Sequence, residues 1–394
     1  MDFLFSEQHE QFRQEIRHFV KEEVPPKWHG IGLLWGAWYE SDEAWEFMRS
    51  IRLKMGAKGW LTLTWPEKYG GLGRSHIEQL ILSEEMMYSG APGLDPSVQM
   101  VGAVLMAFGT EEQKRHLLPL ARGEVFWCQG FSEPNAGSDL ASLTTRAVED
   151  GNCFVLNGQK IWTTRGDHAD WCYLLARTDT AVPKHQGISF FLLDMKSPGI
   201  TVRPLLNMLG KYGFSEVFFD DVKIPKENLV GETNNGWQLA NAVLNTERSG
   251  IGLIAQCRRL IDELVKYVNE TSENGNMRGQ SALIRQKLAK LTADTEVGRL
   301  LSYRVACLQQ KGLNPSHEAS IAKLFGGELT QRVADAGMEI LGLYGQIERS
   351  SSLAPIHGAI EDWALSSRAR TIAGGTAEIQ RTVIASRGLG LPKR

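Results

Sequence analysis

Gln129-Gly130-Phe131-Ser132-Glu133-Pro134-Asn135-Ala136-Gly137-Ser138-Asp139, followed by Asn157-Gly158-Gln159-Lys160-Ile161-Trp162-Thr163-Thr164, says more about this chain than any other part of it. The first piece ends in a polar turn of small residues, where glycine and alanine let backbone N–H groups come close to a ligand. The second reads as a hairpin turn at Asn157-Gly158 followed by a strand that carries Trp162 and Thr164. An indole beside threonine hydroxyls suits a flat, partly polar heterocycle, because the ring stacks and the hydroxyls bond to ring heteroatoms.

The surroundings of these segments are β-like. Phe154-Val155-Leu156, Trp171-Cys172-Tyr173-Leu174-Leu175, Ile188-Ser189-Phe190-Phe191-Leu192-Leu193 and Glu216-Val217-Phe218-Phe219 are short runs separated by Gly, Asn, Asp and Pro. Residues from roughly 125 to 235 therefore read as a compact antiparallel domain. Before it, from Ser6 to about residue 120, the pattern is helical: Phe12, Ile16, Phe19 and Val20 share one face, and Leu80, Ile81, Met86 and Met87 belong to another stripe. From Trp237 onward long amphipathic helices return, with Leu260, Leu264 and Val268 on one face and Leu288, Leu291, Leu300 and Leu301 in the next helix. The aromatic stretch holding Trp28, Trp35, Trp38 and Tyr39 reads as a packed loop or a wall of a substrate pocket.

A chain of 394 residues, 42% of them hydrophobic, can build a large core divided among two or three domains. Its net charge of −3 leaves no electrostatic footprint for nucleic acid. No apolar run approaches the roughly 20 residues a membrane helix needs, so no membrane association is expected. Met1-Asp2-Phe3 leads straight into an amphipathic pattern, without the apolar stretch of a signal peptide. The five cysteines (Cys128, Cys153, Cys172, Cys257, Cys307) show neither close pairing nor metal-ligand spacing, and read as reduced thiols in a cytoplasmic protein without a metal site. No G-x-G-x-x-G opens a βαβ unit and there is no P-loop, which argues against a nicotinamide or nucleoside-triphosphate enzyme.

The two opening segments resemble the flavin site of the acyl-CoA dehydrogenase family, and further motifs extend the resemblance over nearly the whole chain. Trp65-Pro66-Glu67-Lys68-Tyr69-Gly70-Gly71-Leu72-Gly73 looks like the family's N-terminal loop signature. Gly109-Thr110-Glu111-Glu112-Gln113-Lys114, with Pro119 behind it, looks like its link between helices, and Gly374-Gly375-Thr376-Ala377-Glu378-Ile379-Gln380-Arg381 like its C-terminal flavin and substrate segment. The resemblance implies an α+β fold: an N-terminal α-helical domain (residues 1–124), a middle antiparallel, barrel-like β domain (125–236) and a C-terminal four-helix bundle (237–394) that also builds a tetramer. It implies FAD as cofactor and α,β-dehydrogenation of an acyl-CoA. A carboxylate takes the proton beside the thioester, a hydride leaves the next carbon for flavin N5, and aimed donors stabilise the developing enolate oxygen. Electron-transferring flavoprotein is the acceptor it implies.

In much of the family the base is a glutamate directly before the Gly-Thr of the C-terminal motif, but here that position holds Gly374. A minority of the family carries the base on a C-terminal-domain helix within a Glu-Arg pair, and the matching segment here contains Glu247 and Arg248. Glu247 is thus the expected base, with Asp95 of Gly93-Leu94-Asp95-Pro96-Ser97 as the alternative carboxylate near the acyl pocket. The family's oxyanion donor, the backbone N–H at position 374, survives the loss of the side chain. By motif position Gln129, Phe131 and Ser132 line the flavin ring, Trp162 flanks it, the Thr164 hydroxyl reaches N5, and Ser138 touches the CoA side. Thr376 and Glu378 meet the ribose and diphosphate region, although many relatives carry glutamine at the latter position and a carboxylate facing a diphosphate needs a cation between them.

Two interface motifs also depart from the family. Where an Arg-x-x-Phe pattern commonly reaches a neighbour's flavin, this chain has Glu273-Asn274-Gly275-Asn276-Met277-Arg278-Gly279-Gln280; the later Gln-x-x-Gly-Gly becomes Glu339-Ile340-Leu341-Gly342-Leu343. Either Arg278 serves the diphosphate alone, with Gly342 of the later motif also among the expected cofactor-binding residues, or a different chain supplies these contacts. The second option matches a bacterial branch acting on steroid side chains, whose members are α₂β₂ heterotetramers; the other is a homotetramer. Small residues at Ala373, Gly374 and Gly375 favour a branched, cyclic or bulky acyl group. The rival expectations are a flavin oxidase or monooxygenase on the same scaffold, and a catalytically silent subunit.

Overall fold

The computed structural model describes residues 5–25, 28, 41–245, 249–273 and 276–392. In chain order the helices are α1 (Glu7–Glu23), α2 (Asp42–Ala57), α3 (His76–Ser89), α4 (Pro96–Phe108) and the short α5 (Glu111–Lys114) and α6 (Leu117–Ala121). The strands follow: β1 (Trp127–Gly130), β2 (Arg146–Asp150), β3 (Cys153–Thr164), β4 (Trp171–Arg177), β5 (Ile188–Asp194), β6 (Ile200–Leu205), β7 (Phe214–Pro225) and β8 (Leu229–Val230). Then come α7 (Gly236–Asn245), α8 (Ile251–Glu270), α9 (Ala282–Gln310), α10 (Ser316–Leu341), α11 (Ala359–Ser366) and α12 (Ala377–Val383). The expected order of helices, sheet and helices is the observed one. Trp35, Trp38 and Tyr39 lie outside the described residues.

These elements form two compact units, one of α1, α3 and α8 to α12, the other of α2, α4 to α7 and the sheet. In the helical unit the starts and stops are written locally. Ser75 and Glu78 form a reciprocal capping box on α3, and Gly90 ends that helix in the left-handed region. Ser281 accepts the Ile284 N–H at the start of α9, a cap worth about 1 kcal/mol. Leu260, Leu264 and Val268 of α8 and Leu288 and Leu291 of α9 pack with Leu329 and Val333 of α10 in one apolar cluster. Leu300, expected on the buried face, is 43% exposed. Among the described residues no helix is long and apolar enough to cross a membrane.

The sheet of the second unit runs β6-β7-β3-β2-β4-β5-β8, with β1 attached to β4. Most pairings are antiparallel, but β1 joins β4 in parallel and β2 touches it in parallel at Arg146 and Arg177. Phe154, Leu156, Phe191, Leu193, Val217 and Phe219 face a common core.

The hairpin expected at Asn157-Gly158 is not there. β3 continues through these residues, and its register against β7 shifts between Leu156 and Gly158. Asn157 exchanges hydrogen bonds with Asp221 across the step, through its side chain, at 2.9 Å each. The dipeptide therefore serves a β-bulge, which uses the same conformational freedom as a turn. Gly158 has φ of +144°, and a Cβ there would sit 2.7 Å from the Thr145 Cα. Gly158→Ala is accordingly expected to cost about 2 kcal/mol of stability. Thermal unfolding checks this, and a melting temperature equal to that of the wild type would show that the bulge tolerates a side chain.

Candidate functional site

Residues 131–136 are folded by their own sequence. Glu133 and Ala136 exchange backbone hydrogen bonds at 3.1 Å each way, closing a tight turn over Pro134 and Asn135. Pro134 pre-sets the turn and Asn135 tolerates its corner. Beyond it, Gly137 and Ser138 are exposed.

Strand β3 holds this turn from behind. Lys160 is completely buried, and its Nζ donates to the Phe131 carbonyl at 3.1 Å and to Glu133 Oε1 at 2.8 Å. The Ile161 N–H donates to the Ser132 carbonyl at 2.9 Å. Glu133 also accepts the N–H and hydroxyl of Thr144, at 2.6 and 2.8 Å, and the N–H of Thr145 at 2.9 Å. Burial by itself would raise the carboxyl's pKa; the Lys160 charge and these donors overcome it and hold Glu133 at about 2. Burial pulls the Lys160 ammonium below its usual value, and Glu133 opposes that shift. Sequence reading passed over this pair. A lysine and a glutamate 27 residues apart give no local signal, and either alone reads as solvated.

Past Lys160 the strand slips against β7 a second time, and Trp162 takes φ of +60°. That conformation is costly for a bulky residue and persists only where surrounding bonds impose it. As a result Trp162 and Thr164 are exposed while Thr163 between them is 1% exposed. The indole is 60% exposed, and its edge meets the Phe214 ring at 6.1 Å. Gln129, on β1 opposite Tyr173, has a buried Nε2 with no acceptor among the described residues. Phe131 is buried edge-on against Tyr173 and Phe190. An exposed indole, a threonine hydroxyl on the same strand face and an unmatched amide donor fit a flat heterocycle with acceptor atoms, such as a flavin ring.

Asp95 belongs to the same unit in a structural setting. It caps α4 by accepting the Ser97 N–H at 3.0 Å and the Ser97 hydroxyl at 2.7 Å, and lies 3.3 Å from the buried Arg52.

In the helical unit, Gly374 and Gly375 both have positive φ, +66° and +87°. A Cβ built at Gly374 would meet nothing within 4 Å. Thr376 caps α12, its hydroxyl accepting the Ile379 N–H at 3.2 Å, and Glu378 is exposed in the first turn. Gly342 ends α10 at φ of +60°. Glu247, Arg248 and the Arg278 side chain lie outside the described residues.

Three family models match the chain in order: the acyl-CoA dehydrogenase N-terminal domain over residues 6–124, the middle domain over 128–222 and the C-terminal domain over 234–389. Acyl-CoA dehydrogenase FadE26 of Mycobacterium tuberculosis is 35% identical over 402 residues, covering 100% of this chain and 99% of that one. A chain of the ChsE4–ChsE5 complex from Mycobacterium tuberculosis superposes with a TM-score of 0.88 at 35% identity, covering 100% of both chains. A chain of the Tcur3481–Tcur3483 steroid acyl-CoA dehydrogenase does so with a TM-score of 0.88 at 33% identity, again covering 100% of both. The chain belongs to the acyl-CoA dehydrogenase family of flavoprotein oxidoreductases, with its N-terminal helical, middle β and C-terminal helical architecture.

The Lys160–Glu133 pair makes two predictions. Lys160→Met leaves a buried carboxylate without its cation and is expected to destabilise the protein by about 3 kcal/mol or more. For Glu133, a folded-state value of about 2 against an ordinary 4.5 means that its stabilisation is complete above about 4.5 and is lost as the pH falls toward 2. The gap in melting temperature between wild type and Glu133→Gln should close over that interval. A gap independent of pH would contradict the assignment.

Proposed function

We propose that this chain is a base-bearing, FAD-dependent acyl-CoA dehydrogenase for a branched, cyclic or otherwise bulky acyl-CoA, which it converts to the 2-enoyl-CoA. The observation that carries the reading is Gly374, where the loop has no carboxylate and an added side chain would enter open space. The absent side chain removes one base and leaves room beside the acyl carbons. Glu247 then takes the proton from the carbon next to the thioester, with Arg248 beside it in sequence. The base can come from a helix instead of a loop, because either can approach the same α-hydrogen. The N–H of Gly374 still serves as a donor to the thioester oxygen as charge develops there.

When bound, FAD supplies the hydride acceptor. Gln129, Phe131 and Ser132 would line its ring, Trp162 would cover a face, and the Thr164 hydroxyl would donate to the ring edge. Ser138 contacts the CoA portion, and Thr376, Glu378, Arg278 and Gly342 belong to the diphosphate and interface region. Electrons pass on to electron-transferring flavoprotein. The α₂β₂ arrangement, with a second chain of the same family, is favoured over a homotetramer by the likeness to two proteins described as pairs of different chains.

The test is anaerobic. The purified protein, alone and with candidate partner chains, is mixed with acyl-CoAs from butyryl to cycloalkyl and steroid thioesters while flavin absorbance is followed. Bleaching by the bulky thioesters, with butyryl-CoA at least tenfold slower, is expected on the scale of one missing set of pocket contacts. Equal or faster bleaching by butyryl-CoA would overturn the substrate assignment, and no bleaching under any condition would favour the silent subunit. Glu247→Gln should keep its flavin yet lose substrate-driven reduction by a factor of about 10² or more. Unchanged reduction in that variant would remove Glu247 from the mechanism.

A further inference from the structure

Two adjacent glycines make the floppiest dipeptide a chain can carry, since neither has a Cβ to restrict φ. A hydrogen-bond donor set on such a dipeptide is useful only if something else fixes its direction. In the helical unit Gln380 Nε2 donates to the Gly374 carbonyl at 3.1 Å and to the Gly375 carbonyl at 3.3 Å. Lys323 Nζ, from α10, donates to the Gly375 carbonyl at 2.6 Å and to the Arg370 carbonyl at 3.2 Å. Upstream, the Ala373 N–H donates to the Ala369 carbonyl at 2.8 Å.

These contacts fix the peptide planes on both sides of one plane and leave that plane's own donor uncommitted. The plane before it carries the Ala373 N–H, and the plane after it carries the Gly374 carbonyl. The plane between carries the Gly374 N–H, and no acceptor among the described residues takes that hydrogen. Room for the clamp requires glycine at the second position, where a Cβ would lie 2.5 Å from Gln380 Nε2. Gln380 is 2% exposed, so its amide is held in place by packing and is not free to swing away.

We propose that Lys323 and Gln380 are positioning residues for the Gly374 N–H, aiming it at the thioester oxygen by gripping the carbonyls around it. The inference rests on the acyl-CoA reading above, because it gives this donor its acceptor. Neither side chain touches substrate. Each acts through the backbone, and Lys323 does so with a charge-assisted bond that is stronger than a neutral one.

The test compares two CoA ligands of the same carbon skeleton, a 3-oxoacyl-CoA whose thioester oxygen carries enolate charge and an S-alkyl-CoA thioether that lacks that oxygen. Dissociation constants are measured by calorimetry on the purified holoenzyme and its Lys323→Met, Lys323→Arg and Gln380→Met variants. Loss of aim at one donor should weaken the 3-oxoacyl-CoA by about tenfold in Lys323→Met and Gln380→Met, a factor typical of one hydrogen bond. The thioether should stay within about twofold, since every other contact is intact, and Lys323→Arg should recover most of the loss. Equal weakening of both ligands, as a purely structural role would give, or no weakening of either, would overturn the inference. A wild-type protein that binds neither ligand would instead overturn the acyl-CoA reading itself.

Discussion

Lys160 carries a positive charge to a fully buried point, and Glu133 is what makes that tolerable. A buried ammonium without a partner would cost several kcal/mol. Here it has a carboxylate and a carbonyl, both from the segment 131–133. The remaining lone pairs of that carboxylate are taken by Thr144 and Thr145. Such a pair is a poor route to stability, since well-packed apolar residues often do as well. What it contributes is register. Two segments separated in sequence are fastened so that Ser132 meets Ile161, one residue before the strand turns Trp162 outward. The left-handed backbone at Trp162 is the strained feature of this arrangement, and a rigid attachment just before it is what such strain requires.

The two units solve opposite problems. In the sheet unit the aim is to present side chains, and a bulge places an indole and a hydroxyl on one face. In the helical unit the aim is to present backbone, and the loop at Gly374 has been stripped of side chains. Bare backbone is flexible, so direction has to be imported from Lys323 and Gln380.

Much of this architecture was legible in the chain. The long helices announced themselves through periodic Leu and Ile and through caps such as Ser75 with Glu78, signals that lie within a few residues of one another. The strands were legible as runs, but their pairing was not. β3 pairs with β7, whose residues lie some sixty positions further along, and no local pattern states that. The same limit explains the misread Asn157-Gly158. Its local chemistry permits either a turn or a bulge, and pairing with β7 and Asp221 decides for the bulge. The positions of Ser132 and Trp162 came from motif resemblance. Lys160, Lys323 and Gln380, which hold the site's backbone in place, were silent because their partners are carbonyls and a distant carboxylate.

The Lys160–Glu133 bond organises either the surface proposed to face the flavin or only the core behind it. A double-mutant cycle on FAD affinity, with wild type, Glu133→Gln, Lys160→Met and the double variant, measures this directly. If the pair acts as one unit, the double variant loses no more FAD affinity than the worse single variant, giving a coupling of about 1.4 kcal/mol or more, a factor of ten. Losses that simply add, or FAD affinities that do not change while stability falls, would contradict it.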